Sequence, residues 1–451
     1  MLDSLAKRVR RIKDRPYKEG NIVYWMSREH RTGDNWSLIY AVEVARSYRA
    51  KLCVAFCLPP EYIGASIRQY RFMVDGLREL PARLRELGIG FRLLEGYPEV
   101  ELPSFLFEAD AGLLVVDFDP LITNKRWKRR VAGAIDIAMH EVDAHNIVPC
   151  WLAAQRRIAT YDTFRARIMP QLTTFLTPFP DLKGMESRWD LDAPEPDWEG
   201  ALARCKVDRS VPLVNWLRPG ESEGLKALAL FCQKGLFSYK EKAMDPVVSA
   251  QSDLSPYLHF GQVSAQRVAR DVIRTEAPAE EKDDFLDHLI VMRELADNFC
   301  LHTPEYDTIG AFPIWARRSL DEHRKDPREH LYTLGEFERG TTHDPLWNAA
   351  QTELVKTGKI RGSLRAYWAS KILEWSKRPE DALVHALYLN DRYSLDGNDP
   401  NGYTGIAMVI GGLYGRPWRS KDVIGKLKKL SYTQERIMHD LHAYYERVKE
   451  L

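Results

Sequence analysis

The chain has 451 residues, of which 45% are hydrophobic and 29% charged, and its formal net charge is +1. This length favours two domains, and the near-neutral charge means that any nucleic-acid contact would need a local basic patch. The six cysteines are scattered and form no CxxC pair, so neither a disulfide framework nor a metal site is expected. No cysteine follows Cys300, which excludes a C-terminal four-cysteine iron–sulfur site within this chain.

The first twenty residues are polar and basic and lack the apolar segment of a secretory signal. The chain has no run of 18 apolar residues, so no membrane span is expected. These two features predict an intracellular, cytoplasmic protein.

The first part of the chain alternates short apolar runs with segments of helical spacing. Residues 21–26, 52–58, 90–94 and 112–116 each predict a buried strand, and residues 67–87 predict helix. Strands separated by helices indicate a parallel sheet covered on both faces. We therefore expect an α/β domain with a Rossmann-like parallel sheet over residues 1–175.

The remainder of the chain has a different residue pattern. Residues 176–219 are rich in proline and predict an irregular linker over the surface. From residue 220 to 451 the pattern is helical, with residues 283–300, 363–377 and 379–389 fitting the 3.6-residue period. This part predicts an all-α domain.

Two groups of residues in the helical part could carry chemistry. In SDLSPYLHFG (252–261) hydroxyls precede a helix and could donate to an anion, although the same residues are equally a plain helix N-cap. Trp368 and Trp375 lie seven residues apart, on one helix face, where tryptophans usually pack in a core. Arg365 and Asp396 could form a buried ion pair.

Taken together and in order, the segments resemble the class II DNA photolyases of the photolyase/cryptochrome superfamily. In the first half the similar segments are VYWMSREHRTGDNWSL and EVDAHNIVPCW. In the second half they are SDLSPYLHFGQVS, RELADNFC, THDPLWNAAQ, YWASKILEW and LNDRYSLDGNDPNGY. The resemblance covers nearly the whole chain.

The resemblance implies that the helical domain binds FAD in a bent shape. It implies that Asn390 faces flavin N5, and that the α/β domain can hold an antenna chromophore of the deazaflavin or folate type. The cofactor-binding residues carried over are Tyr239, Ser252, Leu254, Ser255, Arg365, Asn390, Asp396, Gly397 and Asp399. The electron path from the surface to the flavin is carried over onto Trp368, Trp347, Trp375 and Tyr332.

The chain departs from the family where the DNA lesion would bind. His288 stands in place of a glutamate, Ala366 in place of a methionine and Met408 in place of a tryptophan, while an expected arginine falls on Ala243. Because the flavin side matches, we expect flavin photochemistry with a changed or lost substrate; alternatively, other side chains compensate. The predicted substrate pocket comprises His288, Met292, Ala366, Met408 and Trp418.

His288 has two interpretations. A histidine can exchange a proton near neutral pH, so it could act on the lesion. It could equally fill the vacated space.

Two functions follow. The first is repair of a pyrimidine photoproduct flipped out of damaged DNA, by electron transfer from reduced flavin. The alternative is a cryptochrome-like photoreceptor whose conformation is recognised by a signalling partner protein.

A basic stretch near the end of the chain is suited to phosphate contacts, or is an ordinary solvated surface. It comprises Arg416, Arg419, Lys421, Lys426, Lys428 and Lys429. The sequence does not indicate an oligomeric state.

Overall fold

A computed structural model describes residues 3–189, 195–248, 250–361 and 363–451. It contains a six-stranded sheet with flanking helices, followed by a helical region, and this confirms the expected fold class. Residues 190–194, which fall in the predicted linker, lie outside the described residues.

The sheet has the strand order β1-β6-β5-β2-β3-β4. The strands are β1 (Val9–Lys13), β2 (Asn21–Trp25), β3 (Leu52–Leu58), β4 (Gly90–Glu95), β5 (Ala111–Asp117) and β6 (Ala138–Val142). All neighbouring strands are parallel except β1, which pairs antiparallel with β6. The chain leaves β2 toward β3 and β4 and later returns to place β5 on the other side of β2. The crevice at the carboxyl ends of β2 and β5 is therefore the topological switch point, where such sheets bind ligands.

Both faces of the sheet are buried, as expected for parallel strands. In β2, Ile22 and Tyr24 pack into the apolar cluster on one face, while Val23 and Trp25 pack into the cluster on the other. The near-continuous apolar runs of the central strands follow from this double burial.

The sequence prediction missed the two strands at one edge of the sheet. β1 reads VRRIK and is only partly buried, because an edge strand keeps charged side chains in water. In β6 the buried Glu141 interrupts the apolar run, and it is neutralised by Arg10 and Lys128. Charge in both strands concealed them from a search for apolar runs, and the antiparallel β1 corrects the expectation of a wholly parallel sheet.

The predicted linker is more than a surface connection. It contains a short helix, and Trp198, Leu202 and Cys205 join the same apolar cluster as the sheet. The helices up to this point are α1 (Asp3–Lys7), α2 (Trp36–Ser47), α3 (Ile67–Leu77), α4 (Leu80–Glu86), α5 (Pro98–Glu108), α6 (Ile122–Ala134), α7 (Cys150–Ala153), α8 (Tyr161–Ile168), α9 (Leu172–Phe175) and α10 (Trp198–Arg204).

The second part is helical. Its helices are α11 (Glu221–Gln233), α12 (Tyr239–Lys242), α13 (Ser255–His259), α14 (Ala265–Arg274), α15 (Ala279–Leu286), α16 (Arg293–His302), α17 (Ile314–Glu322), α18 (Leu334–Arg339), α19 (Pro345–Thr357), α20 (Leu364–Trp375), α21 (Pro379–Tyr393), α22 (Pro400–Gly411), α23 (Tyr432–Met438) and α24 (Leu441–Lys449). No helix in the described part of the chain is long and apolar enough to cross a membrane.

The single helix expected over residues 283–300 is interrupted. A π-helical turn at Asp287–Met292 separates α15 from α16. Such turns insert one extra residue per turn and are common at functional sites. Residue spacing alone does not reveal this insertion.

A buried ion pair joins the two parts of the molecule. Arg28, just after β2, donates two hydrogen bonds of 3.0 Å to Asp297 on α16. Asn146 donates a third to Asp297, and Glu294 of the same helix accepts the backbone N–H of Ile147. Because both charges are out of water, their pairing fixes α16 against the carboxyl end of the sheet.

Arg28→Met should lower the free energy of unfolding by about 3–5 kcal/mol, because it leaves the buried Asp297 carboxylate unpaired. Urea unfolding followed by circular dichroism measures the change. Arg204→Met is the matched control: Arg204 makes an equally bidentate pair with Glu95, but on the exposed surface. The control should leave the unfolding curve unchanged, and equal effects of both variants would contradict the prediction.

Candidate active site

A cleft of about 250 Å³ opens in the helical part of the molecule. Its lining comprises Tyr239, Ser252, Ser255, Leu258, His259, Phe285, His288, Leu289, Arg293, Arg365, Asp396, Asp399 and Asn401. Residues from five separated stretches of sequence, each of which contains at least one predicted site residue, thus meet around one space.

The segment that enters α13 forms one wall of this cleft. Ser252 and Ser255 line it, while the side chain of Leu254 is fully buried beneath them. The Ser252 hydroxyl accepts the backbone N–H of Leu254. Leu254 is itself the N-cap residue of α13 and no side chain caps this helix, so the N-cap interpretation of the hydroxyls is wrong, while their binding role stays a prediction. Asp253 between them has a φ of 54° and pairs with Lys359, which fixes the turn.

Arg365 and Asp396 face each other across the cleft rather than in the core. Their closest nitrogen–oxygen distance is 3.8 Å, and their side chains are 40% and 18% exposed. The expected pair therefore exists but is not buried, and the stability penalty for breaking a buried pair does not apply to it. Arg365 also donates to Ser394 and, at 3.4 Å, to the side-chain oxygen of Asn390.

The amide of Asn390 is oriented from behind by Asp391. Asn390 Nδ2 donates to Asp391 Oδ1 at 2.9 Å, which leaves Asn390 Oδ1 on the side of Arg365. Asp391 also accepts from the backbone of Asn398 and from the Tyr403 hydroxyl. Burial raises the pKa of Asp391 to about 6, although these hydrogen bonds act in the opposite direction.

A second cavity, of about 120 Å³, lies at the carboxyl ends of β2, β3 and β5. His259 and Asp399 line both cavities, and they are hydrogen-bonded to each other at 2.8 Å. Although burial opposes it, the bond and charge of His259 hold the pKa of Asp399 well below its usual range. This bonded pair is thus a wall shared by both cavities, and Gly397 belongs to the second cavity.

The second cavity holds a polar side chain without a partner. His30 is 3% exposed, and neither of its ring nitrogens makes a hydrogen bond in the described part of the chain. Burial lowers the pKa of His30 to about 4, so the ring is neutral. A buried imidazole of this kind normally has a partner, and a ligand in the cavity would supply one.

The four aromatic residues predicted as an electron path form a continuous row. Trp368 and Trp347 stack with ring centroids 6.3 Å apart and nearly parallel planes. Trp375 lies 6.2 Å from Trp347, and Tyr332 lies 5.8 Å from Trp375. The row runs from the buried Trp368, which is one helical turn from the cleft-lining Arg365 on α20, to the partly exposed Tyr332.

Known proteins share both the sequence and the fold. The family model for DNA photolyase matches residues 22–183. The deoxyribodipyrimidine photo-lyase of Potorous tridactylus is 43% identical over 91% of this chain and 78% of its own length. That of Arabidopsis thaliana is 41% identical (96% and 89%), and that of Methanothermobacter thermautotrophicus is 37% identical (99% and 99%).

The chain belongs to the DNA photolyase family. The solved class III photolyase of Agrobacterium tumefaciens has the same fold, with a TM-score of 0.70 at 18% identity over 96% of this chain and 87% of its own. The photolyase of Sulfolobus tokodaii, whose structure contains two FAD molecules, has a TM-score of 0.71 at 18% identity, over 95% and 89%. Cryptochrome-1 of Sinapis alba, 30% identical, matches over only 34% of this chain.

Of the five residues predicted to form the lesion pocket, His288 alone lines the first cleft. His288 lines it from the π-helical turn, and its Nδ1 is bonded to the backbone oxygen of Asp284. The remaining four residues lie outside the cleft lining; they are Met292, Ala366, Met408 and Trp418. Trp418 is 58% exposed on the basic loop, where the Lys428 ammonium lies over its ring.

Several lining residues were not predicted. His259 and Asn401 line the first cleft, and His30 lines the second, although all three lie inside motifs that were recognised. Arg293 also lines the first cleft, and one of its guanidinium nitrogens is buried without a hydrogen bond. The motif RELADNFC contained the signal for Arg293, because a charged residue on a buried helix needs a partner.

Asp391→Asn should change how stability depends on pH. A raised folded-state pKa makes the contribution of Asp391 fully present below about pH 3.9 and lost as the pH rises through about 6. The neutral amide does not show this loss, so relative to the wild type the variant should gain on the order of 3 kcal/mol between about pH 4 and pH 7. Urea unfolding across this pH range measures the difference, and a constant difference would contradict the prediction.

Proposed function

We propose that this protein repairs a pyrimidine photoproduct in DNA by light-driven electron transfer from FAD bound in the first cleft. One observation carries the proposal: an unbroken row of oxidisable rings leads from the surface to a cleft lined by the residues that the family uses for the flavin. The relatives named deoxyribodipyrimidine photo-lyase support the reaction class.

The cleft fits FAD by the chemistry of its donors. Ser252, Ser255 and Tyr239 offer hydroxyls to phosphate and ribityl oxygens, while Arg365 offers a guanidinium with a free, cleft-facing side. Asp396 balances that charge. Bound FAD would supply the photochemistry, and the protein would orient it and exclude water.

Asn390 is the residue proposed to contact flavin N5. Asp391 fixes the amide nitrogen, and the amide oxygen accepts from Arg365 and Ser394, so the cofactor would replace one of these donors when it bonds to the oxygen. The arrangement favours a flavin that carries a proton at N5. Asp391 is therefore a positioning residue for Asn390.

The second cavity is proposed as the site of an antenna chromophore of the deazaflavin or folate type. It lies at the topological switch point of the sheet, and the unpartnered His30 offers a hydrogen bond there. Trp127 and Tyr70 supply aromatic walls. The shared wall of His259 and Asp399 would bring the antenna close to the FAD.

Damaged DNA is proposed as the partner. The basic loop that carries Trp418 is exposed and suits contacts to phosphates. The flipped lesion would enter the first cleft past His288. The cryptochrome alternative has less support, because the match to a cryptochrome covers a third of the chain whereas the photo-lyases match nearly all of it.

Denaturing the purified protein should release FAD and, where the antenna proposal holds, a second chromophore. Absorption spectra and mass spectrometry of the released molecules test both proposals. Failure to find FAD after reconstitution would contradict the FAD proposal. Finding FAD without a second chromophore would contradict only the antenna proposal.

Dimer splitting by the native sequence should be weak. Neutral histidine offers one donor and one acceptor where a carboxylate accepts with two oxygens, and His288 already uses Nδ1 on Asp284. Replacing all three departures together (His288→Glu, Ala366→Met and Met408→Trp) should raise affinity for a dimer-containing oligonucleotide about tenfold, since each stacking contact is worth roughly 1–3 kcal/mol.

Blue-light illumination with recovery of thymine absorbance measures the splitting. Single replacements should do little, because contacting residues act non-additively. His442→Glu on α24 is the matched control: it makes the same change of charge on an exposed residue outside the cleft. Efficient splitting by the unmodified protein would show that the pocket tolerates its departures.

A further inference from the structure

Three rings cluster at the outer end of the aromatic row. Tyr332 and His343 both contact Trp375, with ring centroids 5.8 and 4.8 Å from it. The ring of His330 stacks on that of His343 at 3.6 Å. The last oxidisable side chain of the row therefore lies beside two imidazoles.

The phenol of Tyr332 is hydrogen-bonded to His343 in two ways. Its oxygen lies 2.8 Å from His343 Nδ1 and also accepts the backbone N–H of His343 at 2.9 Å. With one acceptor position of the oxygen filled by the backbone, the phenolic O–H is directed to Nδ1. The same backbone N–H would remain bonded to the oxygen after its proton has left.

The surroundings of His343 keep its imidazole ready to accept a proton. The pKa of His343 is lowered by partial burial, by the neighbouring His330 and by the ammonium of Lys371. The charges of Asp344 and Glu329 act in the opposite direction. The ring is therefore neutral at pH 7. It is also exposed, so a proton it receives can pass on to water.

We propose that His343 is the proton acceptor for Tyr332 when Tyr332 donates an electron to oxidised Trp375. The inference rests on the proposed function, because light-driven electron transfer through Trp368 and Trp347 is what oxidises Trp375. One electron moves from Tyr332 to the Trp375 radical cation while the phenolic proton moves to His343 Nδ1. The products are neutral Trp375, a neutral tyrosyl radical and an imidazolium.

The proton acceptor determines which side chain carries the radical at the end of the electron transfer. A phenol that loses an electron becomes a very strong acid, so tyrosine is readily oxidised only when a base removes its proton in the same step. Without His343 the radical remains on Trp375, closer to the flavin, and charge recombination with the flavin is faster. With His343 the radical moves one residue outward, to the partly exposed Tyr332.

The first test is flash excitation of the FAD-loaded protein, with radicals identified by transient absorption and electron paramagnetic resonance. The wild type should give a tyrosyl radical. His343→Gln keeps a side-chain acceptor but takes up no proton, so tyrosine oxidation should slow by roughly 100-fold and an indole radical should persist, as in Tyr332→Phe. His385→Gln, which removes a nearby histidine that bonds to Ser376 instead, should behave as the wild type.

The second test uses neither light nor electron transfer. In ¹⁵N-histidine-labelled protein kept in the dark, the signals lost in His343→Gln identify its imidazole. Nδ1 should be unprotonated and hydrogen-bonded at pH 7. As the pH falls below the ordinary histidine value of about 6.5, tyrosyl formation should persist until His343 itself is protonated.

Each result is decisive. Tyrosine oxidation at the wild-type rate in His343→Gln, or a protonated Nδ1 in the dark, overturns the role of His343 and leaves the proposed repair function intact. If the wild type gives no tryptophan or tyrosine radical, the proposed light-driven electron transfer is wrong, and so is the proton transfer that depends on it. The Trp368→Phe variant should show that absence, because it interrupts the row at its inner end.

Discussion

The buried pair of Arg28 and Asp297 is the contact on which the arrangement of both cavities depends. Removing one partner of a buried ion pair leaves the other charge unpaired and out of water, which costs about 3–5 kcal/mol. Arg28 follows β2 at the switch point of the sheet, and Asp297 lies on the helix that follows the π-helical turn. One guanidinium therefore sets the distance between the sheet's ligand crevice and the cleft of the helical part.

The wall between the two cavities depends on that placement. Asp399 is bonded to His259 and also lies within the field of Arg28, which helps to keep its carboxyl ionised. The proposed antenna chromophore and the FAD would lie close together across this wall of two side chains, each in its own cavity.

The two sides of the first cleft differ in the hydrogen bonding of their residues. On the flavin side Arg365, Asn390 and Asp391 form a connected set of hydrogen bonds, so replacing any of them leaves others unpartnered. On the opposite side His288 projects from a π-helical turn, bonds to the backbone oxygen of Asp284 and lies edge-on to the ring of Tyr239. Of the replaced residues His288, Ala366 and Met408, His288 alone lines the cleft.

Much of this molecule was predictable from sequence. Strands β2, β3, β4 and β5 and the helical second half follow from local apolar period, and the family follows from ordered motifs. The edge strand β1 and its neighbour β6 did not follow, because their charges are neutralised by residues outside the strands, such as Lys128 for Glu141. Nor did the placement of the site: Arg365 meets Asp396 at an open cleft rather than in the core, and His343 meets Tyr332 across two loops. Sequence by itself determined which elements form and which chemistry they carry, since these depend on neighbours along the chain; only the tertiary structure decided which groups face each other, since burial and hydrogen bonding depend on neighbours in space.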